Sequence, residues 1–451
     1  MLATARTLPN GSSPFTLVRA LLTNPVDAWY SAAYLEPYYK VRFLGRDLIY
    51  VSDPDIIQAV LLTHEDKFPK GPVEMRMLRS VTGRGLFTTE GPEWRRQRRA
   101  ASGAFRQNSL NAMIPVMNDA AERSVARLSK GPAIVDIHQE MIAATFQIIH
   151  STMLSGGEGI IDEERAARAI EIILDTVGKP DPLDLMGAPP GMPRPWGRKA
   201  RRAVRQIQND AQLVIDHRRK KSELGDDLLG LMLAAKDPKT GESLSNLQIR
   251  DNLLTFIAAG HETTALALTW SLYLLGHHPD WQNAVNEEVT RVCGNRAITA
   301  DDLKKLKLTE QVINEAMRLY PPAPAIDRVA KTDIQIHGVD IKKGDFIIIG
   351  IMPLHRHKLL WKDPDTFDPT RFDGKNVKAM HRFAFIPFSG GPRVCIGLRF
   401  AMMEASIILA SLVRAYNFSP ENDKPIRLVS RITLRPEGGM PMKIENIKQS
   451  E

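Results

Sequence analysis

Residues Phe388-Ser389-Gly390-Gly391-Pro392-Arg393-Val394-Cys395-Ile396-Gly397 set one cysteine behind a glycine-rich turn and in front of an apolar run. Gly390 and Gly391 let the backbone fold tightly where a side chain would collide. Arg393 puts a fixed guanidinium fork two residues before the sulfur. After Gly397 the run LRFAMMEASIILASLVRAY is apolar at helical spacing, so Cys395 is predicted at or just before a helix N-terminus. Free N–H groups and the positive end of the helix dipole favour a thiolate there. Such a sulfur suits a nucleophile or a soft metal ligand. The plain alternative is a structural cysteine before an ordinary helix.

Working outward, the totals set bounds. The chain has 451 residues, which suits several small domains or one large core. Hydrophobic residues make up 43% and charged residues 25%, so a sizeable globular core is available. Cys293 and Cys395 are the only cysteines, which argues against a disulfide framework and for a reducing, cytoplasmic setting. The net charge of +8 fits a solvated basic surface or a patch for an acidic protein partner. No aromatic–basic interleaving points to nucleic acid. The first fifteen residues lack an apolar stretch, so no signal peptide or transmembrane anchor is expected. Leu253 to Leu275 is apolar but interrupted by Gly260, His261, Glu262, Thr263 and Thr264. Charge at mid-span is expensive in lipid, so this is read as a buried core helix.

Taken in order, the chain reads as mostly helices with a minor β-sheet region. Leu17 to Tyr34 is a short helix, and Tyr39 to Val51 a hairpin around Gly45-Arg46. A helix starts at Asp53-Pro54 and runs to about Leu62. Residues 68 to 92 read as loop. Glu93 to Phe105 is a basic helix with Trp94 and Arg98 on one face and Arg95, Arg96 and Arg99 elsewhere. Two helices fill 108 to 155, broken near Gly131-Pro132, and another covers Asp162 to Val177. A proline-rich stretch follows, then a basic helix from about Arg198 to Lys221 and a short one within Gly225 to Asp237. Ser245 and Gln248 form a capping box opening a helix to Gly276. Helices Pro279 to Cys293 and Leu308 to Leu319 come next. Strands are expected at Ile334–Ile336, Phe346–Ile351 and in the tail. The whole chain, 1–451, reads as a single unit, β-rich at about 39–51, 334–351 and 424–447.

Three further constellations carry chemistry. Ala259-Gly260-His261-Glu262-Thr263-Thr264 puts polar groups inside an apolar helix, where they must find partners. That is either a close helix contact or a functional groove. Glu315 and Arg318 share a helical face, and Pro369-Thr370-Arg371-Phe372 follows. Alone, such an i,i+3 pair is usually a surface ion pair. His261, His355, His357 and His381 are scattered and read as satisfied or exposed rather than as ligands.

Phe388, Gly391, Arg393, Cys395 and Gly397 resemble the haem-binding loop of the cytochrome P-450 family, the haem-thiolate monooxygenases, and the other constellations stand in that family's order. The resemblance implies a mainly α cytochrome P-450 fold with haem b between the long helix and the cysteine helix. It makes Cys395 the iron ligand and Glu262 and Thr263 the acid–alcohol pair that supplies protons to dioxygen, the co-substrate. Trp94, Arg98, Arg393 and Arg328 become contacts of the haem carboxylates, with Ala259, Phe388 and Gly397 also against the haem. Glu315, Arg318 and Arg371 become a structural triad. Substrate contacts fall at residues 73–88, 180–196, Phe256, Ala259 and Ala323 to Ile326, including Ala325. The apolar Met75, Met77, Leu78, Leu86 and Phe87 suit a hydrophobic substrate. Electrons come from NAD(P)H through a separate ferredoxin or flavodoxin and its reductase, docking near Arg95, Arg96 and Arg99. The alternatives are a haem-thiolate peroxygenase or isomerase, and a non-catalytic haem-binding protein.

Overall fold

The structure is a computed structural model that describes residues 2–153, 162–177, 197–220 and 224–447 and the single positions 183, 188 and 192. Its axis is the helix Asn246–His277. Both bonds of the capping box are made: Gln248 N donates to Ser245 Oγ at 3.2 Å, and Ser245 N donates to Gln248 Oε1 at 3.1 Å. This central helix is buried on nearly all sides, which is why its apolar residues show no single stripe. Helices Ile137–Met153, Arg198–Arg219, Lys307–Leu319 and Leu398–Ala415 pack around it.

The strands are β1 (Tyr38–Phe43), β2 (Arg46–Val51), β3 (Ile134–Asp136), β4 (Ala325–Val329), β5 (Ile334–Ile336), β6 (Val339–Ile341), β7 (Phe346–Gly350), β8 (Tyr416–Pro420), β9 (Leu428–Ser430), β10 (Leu434–Pro436) and β11 (Pro441–Asn446). The largest sheet has the order β1-β2-β7-β4, with β2 and β7 parallel. A second apolar cluster lies against this sheet and includes Leu61, Phe383 and Ile386, which support the loop that carries Cys395. β9 and β10 form a separate antiparallel hairpin.

The mainly helical class with a minor sheet is the one expected, but some elements differ. Residues 68–92 contain the helix Pro72–Thr82. Its proline stands in the first turn, where the missing N–H costs nothing, and Gly83 ends it at φ 55°. Read as breakers, those residues are punctuation. The first helix is Pro14–Thr23, and Pro25 breaks the rest of that span into two 3-10 turns. Strands β3, β4 and β8 were not foreseen. Apart from the single positions, the proline-rich stretch 180–196 lies outside the described residues.

Candidate active site

The loop before the cysteine is pinned by its own backbone. Cys395 N donates to Phe388 O at 2.9 Å, and Val394 N donates to Gly391 O at 3.1 Å. Gly391 has φ +65°, and a Cβ there would lie 1.9 Å from Leu61 O. Only glycine meets both demands. Gly391→Ala is therefore expected to cost about 1–3 kcal/mol from strain alone, with further loss from the clash. A fall in thermal midpoint and in folded yield checks this; an unchanged midpoint would show that the loop relaxes freely.

The cysteine helix Leu398–Ala415 starts after Gly397. The N–H groups of Gly397 and Leu398 and the Arg98 guanidinium favour the Cys395 thiolate, but burial outweighs them and pushes the thiol up. The terminal N–H groups act in the direction the sequence suggested and burial opposes them; a bound metal would tip the balance, since a coordinating thiol is deprotonated outright.

Cys395 opens into a cavity of about 810 Å³. The cysteine loop lines it with Phe388, Arg393, Cys395 and Gly397, and the central helix with Phe256, Ala259, Glu262 and Thr263. Trp94 and Arg98 line it from the helix Gly91–Ala101. Ala323, Ala325, Ile326 and Arg328 line it from β4 and the residues before it. Met77, Leu78, Leu86 and Phe87 also reach it, whereas Met75 is buried and does not line it.

Two residues that sequence reasoning missed, Lys70 and Asp327, share this wall with Glu74, which lies in the expected span 73–88. Lys70 Nζ pairs with Glu74 Oε1 at 2.8 Å and sits 3.3 Å from the centre of the Phe87 ring. Burial, then the Glu74 carboxylate, pushes Asp327 up to about 7. Arg393 is already engaged: it donates to Thr89 O at 2.9 Å, pairs with Glu90, and stacks 4.0 Å from the Trp94 ring centre. Among the described residues the Arg328 guanidinium donates only to the neighbouring Asp327 O, at 2.7 Å. Arg98 makes no hydrogen bond or ion pair among the described residues, and burial disfavours its charge.

On the central helix, Thr263 Oγ1 donates to Ala259 O at 2.7 Å and Thr264 Oγ1 to Gly260 O at 3.1 Å. A Cβ on Gly260 would meet Ile149 at 2.9 Å, so the glycine serves a close helix contact. Glu262 is 3% exposed. It accepts from Thr433 Oγ1 at 3.0 Å and pairs with Arg435 Nε.

The sequence pattern of the family described as Cytochrome P450 matches residues 22–442. The chain belongs to the cytochrome P450 family. It is 32% identical over 407 residues to a protein of Arabidopsis thaliana named "Cytokinin hydroxylase", covering 88% of this chain and 78% of that one. It is 31% identical over 429 residues to the human "Cytochrome P450 4F12", covering 89% and 81% respectively. The crystal structure of the cytochrome P450DA heme domain superposes with a TM-score of 0.85 at 27% identity, covering 99% of this chain and 98% of that one. This P450 is thus a haem-thiolate monooxygenase, an oxidoreductase that incorporates an atom of dioxygen. No helix among the described residues is long and apolar enough to cross a membrane.

The cavity fits the haem such a P450 uses. It is apolar, has a sulfur donor on one wall, and presents two guanidiniums: Arg98, without an ion pair among the described residues, and Arg328, whose charge acts on the nearby Glu74 and Asp327 without an ion pair to either. Those suit the two haem carboxylates. Arg393 is less available, because Glu90 already takes part of its fork.

Away from the cavity, Glu315 and Arg318 are both fully buried. Their fork–fork bonds measure 2.6 and 2.7 Å. Arg318 also donates to His355 O, Pro364 O and Thr366 O, and Glu315 accepts from Asp368 N. Arg371 stands further off: its Nε lies 3.5 Å from Glu315 Oε1, and Nη2 donates to Asp363 O. The three are brought together, with the third link weakest.

None of the rival histidines lines the cavity. His261 Nδ1 lies 2.8 Å from Ile257 O, and His355 Nε2 accepts from Ile386 N at 2.9 Å. Burial, reinforced by Arg318, pushes His355 down to about 3, so it stays neutral.

The basic face of the helix Gly91–Ala101 also differs from expectation. Arg95 pairs with Glu65, Arg96 with Glu242 and Arg99 with the buried Asp237. Arg99 and Asp237 anchor the turn at Lys239 and Thr240. That is local structure rather than an open patch of positive charge.

Proposed function

We propose that this P450 oxidises a hydrophobic small molecule held against Phe256, Ala259, Ala323, Ala325 and Ile326, with Cys395 as iron ligand and Glu262 and Thr263 as the proton path. One observation carries the reading: the sulfur and the acid–alcohol pair stand on walls of one apolar cavity. Haem b, when bound, supplies the oxygen-activating chemistry. Arg98 and Arg328 hold its carboxylates, assisted by Trp94 and Arg393. Phe388, Ala259 and Gly397 bound the space it fills. The apolar walls exclude water and orient the substrate. Thr263 Oγ carries a hydroxyl proton that can turn from Ala259 O toward the cavity, and Glu262 replenishes it from solvent. Glu315, Arg318 and Arg371 hold the cysteine loop in register from outside the cavity.

Electrons come, in this reading, from NAD(P)H through a ferredoxin or flavodoxin and its reductase in the cytoplasm. Support is the need of the family for a separate donor and the unpaired state of both cysteines. Thr263→Ala is expected to lower coupled product formation about a hundredfold while haem content stays unchanged. Product per electron consumed measures this, and unaltered coupling would remove Thr263 from the path. The substrate class is tested by titrating the ferric protein with fatty acids, terpenoids, steroids and aromatics while following the Soret band. A low-to-high-spin shift with one class, followed by turnover of that class, is expected. Shifts with none would contradict an apolar substrate site.

A further inference from the structure

The proton path proposed above contains a carboxylate that is not free to move. Glu262 Oε1 accepts from Thr433 Oγ1 at 3.0 Å, and Arg435 Nε pairs with the same oxygen. Arg435 Nε also lies 3.2 Å from Thr433 Oγ1, so the three side chains close a ring. Thr433 stands between β9 and β10, and Arg435 within β10. That hairpin is itself anchored. Leu434 N donates to Pro322 O at 2.9 Å, Trp270 of the central helix donates to Leu434 O at 3.3 Å, and Asn24 bonds both Leu428 O and Ser430 N. Ile432 and Thr433 line the same cavity as Cys395.

Other ionisable groups face Glu262 from neighbouring elements. His138, beside Asp136, and His261 both feel its charge, but burial lowers each of them. They stay neutral near pH 7, and Arg435 supplies the compensating positive charge. A buried carboxylate without such a partner would be costly. A glutamate with rotatable bonds would also present its oxygens in several directions, and misplacement in a proton path lowers rate steeply.

We propose that Arg435 and Thr433 are positioning residues of this P450, fixing the Glu262 carboxylate in the single orientation from which it serves Thr263. Neither touches the reacting atoms; both act through Glu262. The inference rests on Glu262 belonging to the proton path, and the test separates the two claims.

The haem-loaded protein is compared as wild type, Thr433→Val, Arg435→Leu, Arg435→Lys and Glu262→Gln, with Thr433→Val and Arg435→Leu also placed in the Glu262→Gln background. Electrons are supplied by a flavin photoreduced without dioxygen and removed before dioxygen is admitted, so no protein partner is needed and reduced flavin does not consume dioxygen itself. Dioxygen consumption and peroxide release are followed across pH in light and heavy water. Glu262→Gln is expected to slow dioxygen consumption about a hundredfold. Thr433→Val and Arg435→Leu are expected to slow it about tenfold and to change the solvent isotope effect. Neither should add anything once Glu262 is Gln. Arg435→Lys, which keeps the charge without the fork, should recover part of the loss. Two results overturn the inference while leaving Glu262 in place: a wild-type pH profile and isotope effect in Thr433→Val and Arg435→Leu, or equal losses in both backgrounds, the mark of a merely structural role. An unaffected Glu262→Gln overturns the proton path and the inference with it. If Arg435→Leu fails to fold, Thr433→Val, which removes one hydroxyl at constant shape, decides the matter.

Discussion

Cys395→Ser is expected to leave a folded chain that no longer works as a monooxygenase. The loop does not depend on the sulfur for its shape. Its bonds run through backbone, from Cys395 N to Phe388 O and from Val394 N to Gly391 O, and its tight point is the left-handed Gly391. Serine keeps the size and the backbone, so the stability of the haem-free chain should change by about 1 kcal/mol or less. The ligand chemistry changes completely. A thiolate donates electron density to the iron and favours cleavage of the oxygen–oxygen bond, and a serine hydroxyl stays protonated and binds weakly. Haem content should drop and substrate oxidation should vanish, measured by pigment absorbance per chain and by product formation. Wild-type turnover in Cys395→Ser would place the ligand elsewhere.

Glu315→Ala should have the largest effect on stability. Glu315 and Arg318 are both inaccessible to solvent. Removing the carboxylate leaves a guanidinium in the interior with only the carbonyls of His355, Pro364 and Thr366 around it. Breaking a buried pair in this way costs about 3–5 kcal/mol. Against a total stability of about 5–15 kcal/mol, that is enough to lower the folded yield severely. Arg318→Ala should be comparable, because three carbonyls and a carboxylate then lose their donor. Arg371→Ala should cost far less, since its Nε is 3.5 Å from Glu315 and it stands nearer the surface. Thermal denaturation of the three variants measures the order. Equal losses at Arg371 and Glu315 would mean the third link is as strong as the first.

Much of the site could be read from the chain because its signals are local. The capping box and the long, largely apolar run placed the central helix within a residue at each end. The loop before Cys395 is written in consecutive glycines, of which Gly391 admits no other residue. Loss of legibility begins where partners are distant. Nothing near Glu262 in sequence points to Thr433 or Arg435, some 171 positions on. Lys70 and Asp327 carry no local signal until the fold brings them beside Glu74 of the helix Pro72–Thr82 on the cavity wall. The helix itself was hidden by Pro72 and Gly83, which mark its ends rather than a loop. Arg95, Arg96 and Arg99 read as an open basic face because their acids, Glu65, Glu242 and Asp237, lie on other segments. The helix-terminus N–H groups that favour a Cys395 thiolate are where the sequence puts them. Burial, which a sequence does not display, works the other way.

The central claim, that Cys395 binds the iron, is tested most directly by X-ray absorption at the iron edge of the ferric, haem-loaded protein. The expected result is one sulfur neighbour in the wild type, retained in Cys293→Ser and lost in Cys395→Ser. Cys293 is buried and absent from the cavity lining, so it serves as the internal control. A wild-type spectrum with only nitrogen and oxygen neighbours, or a sulfur that persists in Cys395→Ser, would contradict the account.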